Sequence, residues 1–312
     1  MLTNTQLRYF DSEHVRLPRD KRTEYHAQVD RLIKTLSAAV KDQTDLRITS
    51  VVKAGSFAKF TILRKTSDDP VDVDVVFYLA GKNLDQASFE SLSEDIHKVL
   101  IKLYPTKAVE DFELQKKAAT VTFKGTGLAV DIVPVIQIET QPGFGYQFGT
   151  DGSKTKTCAP CQIEFVKTRK NTDSDYRTLV RLVKKWRNYC DIKPLKSFHI
   201  ELILAFLQDR HGACDRIEQR FQDFFLYVAQ SGLKETIKFP ENKGVIGQFS
   251  DPVVIIDPVN NSNNAASRIT EDERKLIVQA CLQAWEIAHF ASIEDNRDAW
   301  KELFGPRFKT ED

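Results

Sequence analysis

The segment AGSFAKFTILRKTSDDPVDVDVVFYLAG, residues 54–81, carries four aspartates within seven positions: Asp68, Asp69, Asp72 and Asp74. Negative charge at that density beside a run of valines is costly unless water or a cation offsets it. Asp68 and Asp69 precede Pro70, where aspartate is a common, solvated turn residue, and they are read as such. Val71-Asp72-Val73-Asp74-Val75 alternates, so a strand here sends the valines to the core and both carboxylates to the opposite face. Side by side, these two can chelate one cation or a close pair, although alternating charge can also be a wet sheet face. A second run, Leu128-Ala-Val-Asp131-Ile-Val-Pro-Val-Ile136, holds one charge in an otherwise apolar stretch, and an acid so placed needs a partner. If this strand pairs near 71–79, Asp131 completes a cage of three carboxylates. Hard oxygen donors with open positions favour Mg²⁺ or Mn²⁺ over zinc.

Upstream, Gly55-Ser56 falls where a strand hands over to a helix. Glycine permits close backbone approach, a helix start offers N–H groups, and the hydroxyl adds a donor, which together suit a phosphate. An ordinary turn with Ser56 as N-cap is the structural alternative. Two further elements invite a zinc reading: Cys158-Ala-Pro-Cys161 and His211-Gly-Ala-Cys214 fit the spacing of one tetrahedral site. Against it stands the commoner role of such thiols as small buried or surface residues.

These residues must be positioned by a chain of 312 residues, enough on length for about two domains. A formal net charge of +1 lacks the global basic excess of proteins that live on long nucleic acid. The N-terminus has no apolar block of a signal peptide, and no stretch approaches the roughly 18 apolar residues of a membrane span. Five cysteines, an odd count, suit a reducing cytosol better than a disulfide framework, so the expected location is cytoplasmic. Hydrophobic periodicity predicts helices over 21–42 and 86–104, the latter with Phe89, Leu92, Ile96 and Val99 in register. Strands are expected at 46–53, 71–79, 118–124 and 128–136. Residues 140–174 are expected to be a connecting loop region. From 176 the pattern is helical, at 176–190, 198–210, 216–231, 271–292 and 295–304, with a capping box at Thr270-Glu-Asp-Glu273. The predicted fold class is α+β, with a mixed-sheet lobe over 1–150 and a mostly helical lobe over 151–312.

Gly55-Ser56, the Asp72-x-Asp74 strand and the later strand with Asp131 and Pro134 resemble the polymerase-β-like nucleotidyltransferase superfamily. Order, spacing and strand context agree together. The second half narrows the likeness. Leu179-Val-Arg-Leu-Val-Lys184-Lys-Trp186 is similar to the helix of oligoadenylate synthetases whose lysine contacts the nucleotide triphosphate. Periodicity places Lys184 and Lys185 on a solvated flank, and only the resemblance selects Lys184. Lys196-Ser197-Phe198-His199 resembles an element of cyclic GMP-AMP synthase in which the serine touches phosphate and the aromatic stacks on a base. Ser197 as N-cap and Phe198 as core are the structural alternatives. Asp257-Pro258 followed by Asn263-Asn264 is similar to an element of both families that places Asp257 near the second nucleotide, with a helix-preceding Asx turn as the alternative.

Together these identify the chain as a member of the CD-NTases, the bacterial relatives of those two enzymes that serve CBASS anti-phage defence. The family implies an active site in the cleft between the lobes. It implies synthesis of a cyclic di- or trinucleotide, cGAMP-like, from NTPs such as ATP and GTP, with pyrophosphate release. Asp72, Asp74 and Asp131 would hold Mg²⁺ or Mn²⁺, and Gly55, Ser56, Lys184, Ser197, Phe198 and Asp257 would bind nucleotide. Regulatory proteins of a CBASS operon are the implied partners, with no membrane and no long nucleic-acid activator. The alternatives are a linear oligoadenylate synthetase, an RNA-terminal nucleotidyltransferase, or a nucleotide-binding regulator without turnover. One departure is Phe60, which stands where many relatives carry glycine and predicts a phosphate loop seated differently.

Overall fold

In a computed structural model of the chain, which describes residues 1–65, 70–80 and 86–310, the alternating valines form strand β2 (Val71–Leu79) between β1 (Ile48–Lys53) and β5 (Leu128–Gln137). The expected turn at Asp68 and Asp69 and the Phe89 side chain lie outside the described residues. β2 and β5 run parallel, paired from Val71↔Leu128 to Leu79↔Ile136. A parallel pair needs a long crossover, and helix α4 (Gln86–Leu103) is part of it. Every other neighbour is antiparallel: β1 on β2, β4 (Ala119–Phe123) on β5, and β3 (Phe112–Leu114) on β4. β6 (Gly145–Phe148) and β7 (Lys154–Thr157) continue from the end of β5 and complete a seven-stranded mixed sheet. Val71, Val73, Val75, Phe77 and Leu79 are buried, as the alternation requires. Helix α2 (Arg19–Gln43) packs on the sheet unit through the buried stripe Tyr25, Val29, Leu32, Leu36 and Val40.

The chain forms two compact units whose boundaries are not sequential: residues 17–60 with 64–164, and residues 1–16 with 61–63 and 165 onward. The division expected at residue 150 is therefore displaced, and the N-terminal segment joins the helical unit. Thr3 and Gln6 form a capping box that starts helix α1 (Asn4–Phe10), a signal present in the sequence. A π-helical turn at Asp11–Val15 follows. It delivers Asp11 to a buried ion pair with Arg181, whose Nε donates to Asp11 Oδ1 at 2.7 Å. The Phe10 ring packs tilted against Phe304 and edge-on against Phe308. A buried charge without its partner is strongly destabilising, so this segment is held by ion pairing as well as by packing.

Residues 140–174, expected to be loop, contain β6, β7 and helix α5 (Ala159–Thr172). Pro160 hid the helix from sequence reading, yet proline is tolerated in a first turn because its missing N–H needs no partner there. The helical unit comprises α6 (Tyr176–Tyr189), α7 (Ser197–His211), α8 (Ile217–Ser231), α9 (Glu271–Ile293) and the short α10 (Trp300–Phe304). Trp186, Phe221, Phe224, Phe225 and Trp300 lie at its centre. α10 starts later than expected because Asp295 has φ +48° and Asn296 Oδ1 accepts the Asp298 and Ala299 N–H groups in a local turn. Among the described residues, α9 is the one helix long and apolar enough by length and composition to cross a membrane, which corrects the expectation of no such segment. Its Ile277, Cys281, Ala284, Ala288 and Ala291 are buried in the helical core.

Candidate active site

The sheet register assembles the acidic residues. Asp74 pairs directly with Asp131, Asp131 with Thr120, and Thr120 with Glu113. A row therefore crosses β2, β5, β4 and β3 on one face, with Asp72 on that same face two residues before Asp74. Asp72 is exposed and Asp74 and Asp131 are half-buried. Beyond Asp74, Val76 and Tyr78 turn this face apolar. The acids thus occupy the solvent-accessible start of a strand whose second half is buried on both sides.

Glycine at position 55 is required by contact. Its φ is +57°, and a Cβ there would lie 1.7 Å from Asp74 Oδ2. The Asp74 carboxylate therefore sits against the Gly55 backbone, while the Ala54 N–H donates to the Asp74 carbonyl at 2.8 Å. Ser56 follows in the short helix α3 (Gly55–Lys59), whose N-cap position is Ala54, so Ser56 is not the N-cap. Phe60 ends this helix at φ +63°, ψ +30°. It adopts the left-handed conformation that glycine would supply, at a cost of about 1 kcal/mol, and the Arg22 guanidinium stacks 3.7 Å from its ring centroid. The missing glycine does not prevent the left-handed turn.

Thr120 is a residue that sequence reading missed. Its hydroxyl donates to Asp131 Oδ1 at 2.5 Å and accepts from Gln115 Nε2 at 3.0 Å. Burial raises the Asp131 pKa from the ordinary aspartate value, the Thr120 hydrogen bond opposes that shift, and Glu113 adds to it. Only the β4–β5 register could identify Thr120, because nothing in the pattern of its own strand marks it. Thr120→Val is expected to lower the apparent Mn²⁺ or Mg²⁺ affinity or the turnover about 10- to 100-fold, the usual cost of removing a group that orients a ligand. Thr120→Ser should restore it, checked by titrating the metal in a pyrophosphate-release assay.

The three carboxylates share a face but are not gathered: among the described residues no group of three Asp, Glu, His or Cys side chains is close enough to hold a metal. The expected cage is corrected to an open row, with Asp131 turned onto Thr120. As acceptor-only oxygens on adjacent strands, the acids fit a hard divalent ion. The zinc reading does not hold. Cys158 and Cys161 are joined as a disulfide, which consumes both thiolates.

The remaining expected residues lie in the helical unit. Lys184 is buried rather than on a solvated flank, and its Nζ donates to the Thr61 carbonyl at 2.8 Å. Thr61 Oγ1 in turn donates to the buried Glu201 at 2.8 Å. Ser197 is the first residue of α7, not its N-cap, and its hydroxyl accepts from Arg187 Nη2 at 3.1 Å. Phe198 packs partly against the core. Asp257 is buried, with Oδ1 accepting from the Val259 N–H and Oδ2 from Asn263 Nδ2, both at 3.0 Å. An Asx turn is formed, but it leads into the short strand Asn260–Asn264 and not into the expected helix.

His199 fixes the start of α7: Nδ1 accepts the Lys196 N–H at 3.2 Å, so Nε2 carries the proton donated to the Ala265 carbonyl at 3.1 Å. Burial lowers its pKa to about 4, against about 6.5 for a free imidazole. The unfolded chain therefore binds a proton that the folded chain refuses as pH falls from 6.5 toward 4. Stability is lost over that window. Unfolding in urea at pH 5.5 rather than 7.5 is expected to show a loss of about 1 kcal/mol from this group, and His199→Gln should flatten the dependence.

A mixed sheet with carboxylates in register on a parallel strand pair, approached by a glycine-serine turn, defines the polymerase-β-like class of nucleotidyltransferases. The narrower assignment follows from likeness to known proteins. Residues 1–171 match the Second Messenger Oligonucleotide or Dinucleotide Synthetase (SMODS) domain. The chain is 61% identical to the CBASS oligonucleotide cyclase CdnC of Escherichia coli (strain KTE188), over 100% of this chain and 99% of that one. It is 32% identical to the cyclic AMP-AMP-AMP synthase of Escherichia coli (strain MS 115-1), over 96% of each. Solved structures of E. coli MS115-1 CdnC, at 31% identity, match with TM-score 0.84 for the structure with ATP (99% of each chain) and 0.83 for that in complex with HORMA-deltaN (99% of this chain, 98% of that one). The chain belongs to the CD-NTase family and is a nucleotidyltransferase.

Proposed function

We propose that this enzyme joins ATP into a cyclic trinucleotide of adenosine with release of pyrophosphate, as the signal-producing component of CBASS anti-phage defence, under control of a HORMA-type protein. The observation that carries the chemistry is the register pairing of Asp74 with Asp131 beside Asp72. Full-length likeness to a protein named for cyclic AMP-AMP-AMP synthesis favours adenosine alone over a mixed, cGAMP-like product.

Asp72, Asp74 and Asp131 would hold Mg²⁺ or Mn²⁺, which supplies charge neutralisation at the triphosphate and lowers the pKa of the acceptor hydroxyl. Gly55 lets the Asp74 carboxylate approach the backbone from which Ser56 presents its hydroxyl to phosphate. Asp131, with Oδ1 held by Thr120, takes the acceptor hydroxyl proton on Oδ2. Ser197, braced by Arg187, and the face of Phe198 are assigned to nucleotide. Lys184 and Asp257 act by positioning, the one on the Thr61 carbonyl and the other on the 257–263 turn.

The test is incubation with all four NTPs and Mg²⁺ or Mn²⁺, alone and with a HORMA-type partner, followed by phosphatase treatment and mass spectrometry. A phosphatase-resistant product of three adenylates is expected. A phosphatase-sensitive oligomer would assign a linear synthetase, extension of added RNA an RNA-terminal transferase, and NTP binding without pyrophosphate a silent regulator.

A further inference from the structure

The Cys158-Ala-Pro-Cys161 segment plays no part in the acid chemistry. Cys158 occupies the N-cap position of the 14-residue helix α5, its carbonyl accepting the Gln162 N–H at 3.1 Å. Cys161, in the first turn, is bonded to it as a disulfide. The two sulfurs are not equivalent. Cys158 is fully buried, and its Sγ would lie 3.5 Å from a Cβ at Gly143, so the 143 turn covers it; Cys161 is only half-buried. The Cys161 N–H donates to Cys158 Sγ at 3.2 Å. That hydrogen bond and the helix N-terminus both favour negative charge on Cys158. The same helix start is tied to the catalytic strand, because the Tyr78 hydroxyl accepts the Ala159 N–H at 3.1 Å and donates to the Gly143 carbonyl at 2.8 Å. Tyr78 lies on β2 four residues beyond Asp74, on the same face.

We propose that Cys158 and Cys161 form a redox-active pair, opened by a dithiol reductant, whose reduction loosens the tie between α5 and β2. A thiolate of the reductant attacks the accessible Cys161 Sγ. The Cys158–Cys161 bond breaks, and Cys158 leaves as the thiolate held by the Cys161 N–H. The second thiol of the reductant, as thiolate, then attacks its own sulfur in the mixed disulfide, releasing Cys161 and closing the reductant's disulfide. Two electrons pass to the protein, and the two protons of the dithiol end on the two cysteines. The covalent ring spans only four residues, and short loops restrain the unfolded chain least, so the pair opens without unfolding the protein.

The full chain equilibrated at graded ratios of oxidised to reduced dithiothreitol, quenched in acid, unfolded and labelled with a maleimide tests this by peptide mapping. Cys158 and Cys161 are expected to gain label together, the dithiol-to-disulfide ratio changing tenfold for about every 30 mV, while Cys190, Cys214 and Cys281 stay labelled throughout. Hydrogen exchange at the Ala159 amide should quicken on reduction. With oxidised glutathione, the Cys158→Ser protein should form a mixed disulfide at Cys161 faster than Cys161→Ser does at Cys158, read by peptide mapping, because Cys161 is the accessible sulfur. Full labelling of both cysteines at every ratio, or none at the most reducing one, would overturn the pair. Equal glutathione uptake would overturn Cys161 as the attacked sulfur, and unchanged Ala159 exchange the tie to β2. The wild-type titration stands even if a variant does not fold, and none of these readouts depends on nucleotide turnover.

Discussion

Replacing Asp72 and Asp74 together by asparagine is expected to abolish product formation from NTPs, with a loss on the order of a thousandfold or more, equivalent to about 4 kcal/mol of barrier. Asparagine keeps the shape of each side chain and removes only the charge. The Ala54 N–H bond at this position is to the Asp74 carbonyl, so the backbone pairing of β2 survives. Asp72 is exposed and Asp74 half-buried, and substitutions at such positions usually change stability by about 0.5 kcal/mol or less. Thermal unfolding should therefore remain cooperative, while pyrophosphate release disappears. Retained synthesis in the doubly substituted protein would remove the acids from the chemistry altogether.

Gly55→Ala is expected to be nearly as damaging, by geometry instead of charge. The added methyl would stand 1.7 Å from Asp74 Oδ2 and 2.6 Å from its Cγ, so the carboxylate or the turn must move. The φ of +57° at this residue adds about 1 kcal/mol of strain for any L side chain. Displacement of a catalytic group by about 1 Å can cost a hundredfold in rate, and a loss of that order is expected in the same assay. Because Asp74 keeps its charge here, raising the divalent metal concentration should recover part of the activity. The asparagine double variant should recover none. A Gly55→Ala enzyme with parental turnover would mean that the Asp74 carboxylate need not lie against the turn.

Much of this protein was written locally. The period-2 alternation of residues 71–75 set β2 and the face of Asp72 and Asp74, and a single charge in an apolar run marked Asp131. The 3.6-residue periodicity of 21–42 gave α2 nearly to its ends. Such features depend only on neighbours in the chain, and apolar and polar residues sort to opposite faces whatever lies across from them. The strand pairing was foreseen as a condition; its register, Asp74 opposite Asp131 and Asp131 opposite Thr120, is a property of hydrogen bonds between distant segments. No single strand encodes it. The same is true of Thr120 itself, of Asp11 reaching Arg181 across 170 residues, and of Lys184, whose flank looked solvated until Thr61 covered it. Sequence by itself marked Asp72, Asp74 and Asp131 as candidates for chemistry and the two strands that bear them. Tertiary structure decided which acids share a row, which charges are buried, and that Cys158 and Cys161 form a disulfide instead of binding a metal, because those outcomes follow from contacts between segments that local pattern does not specify.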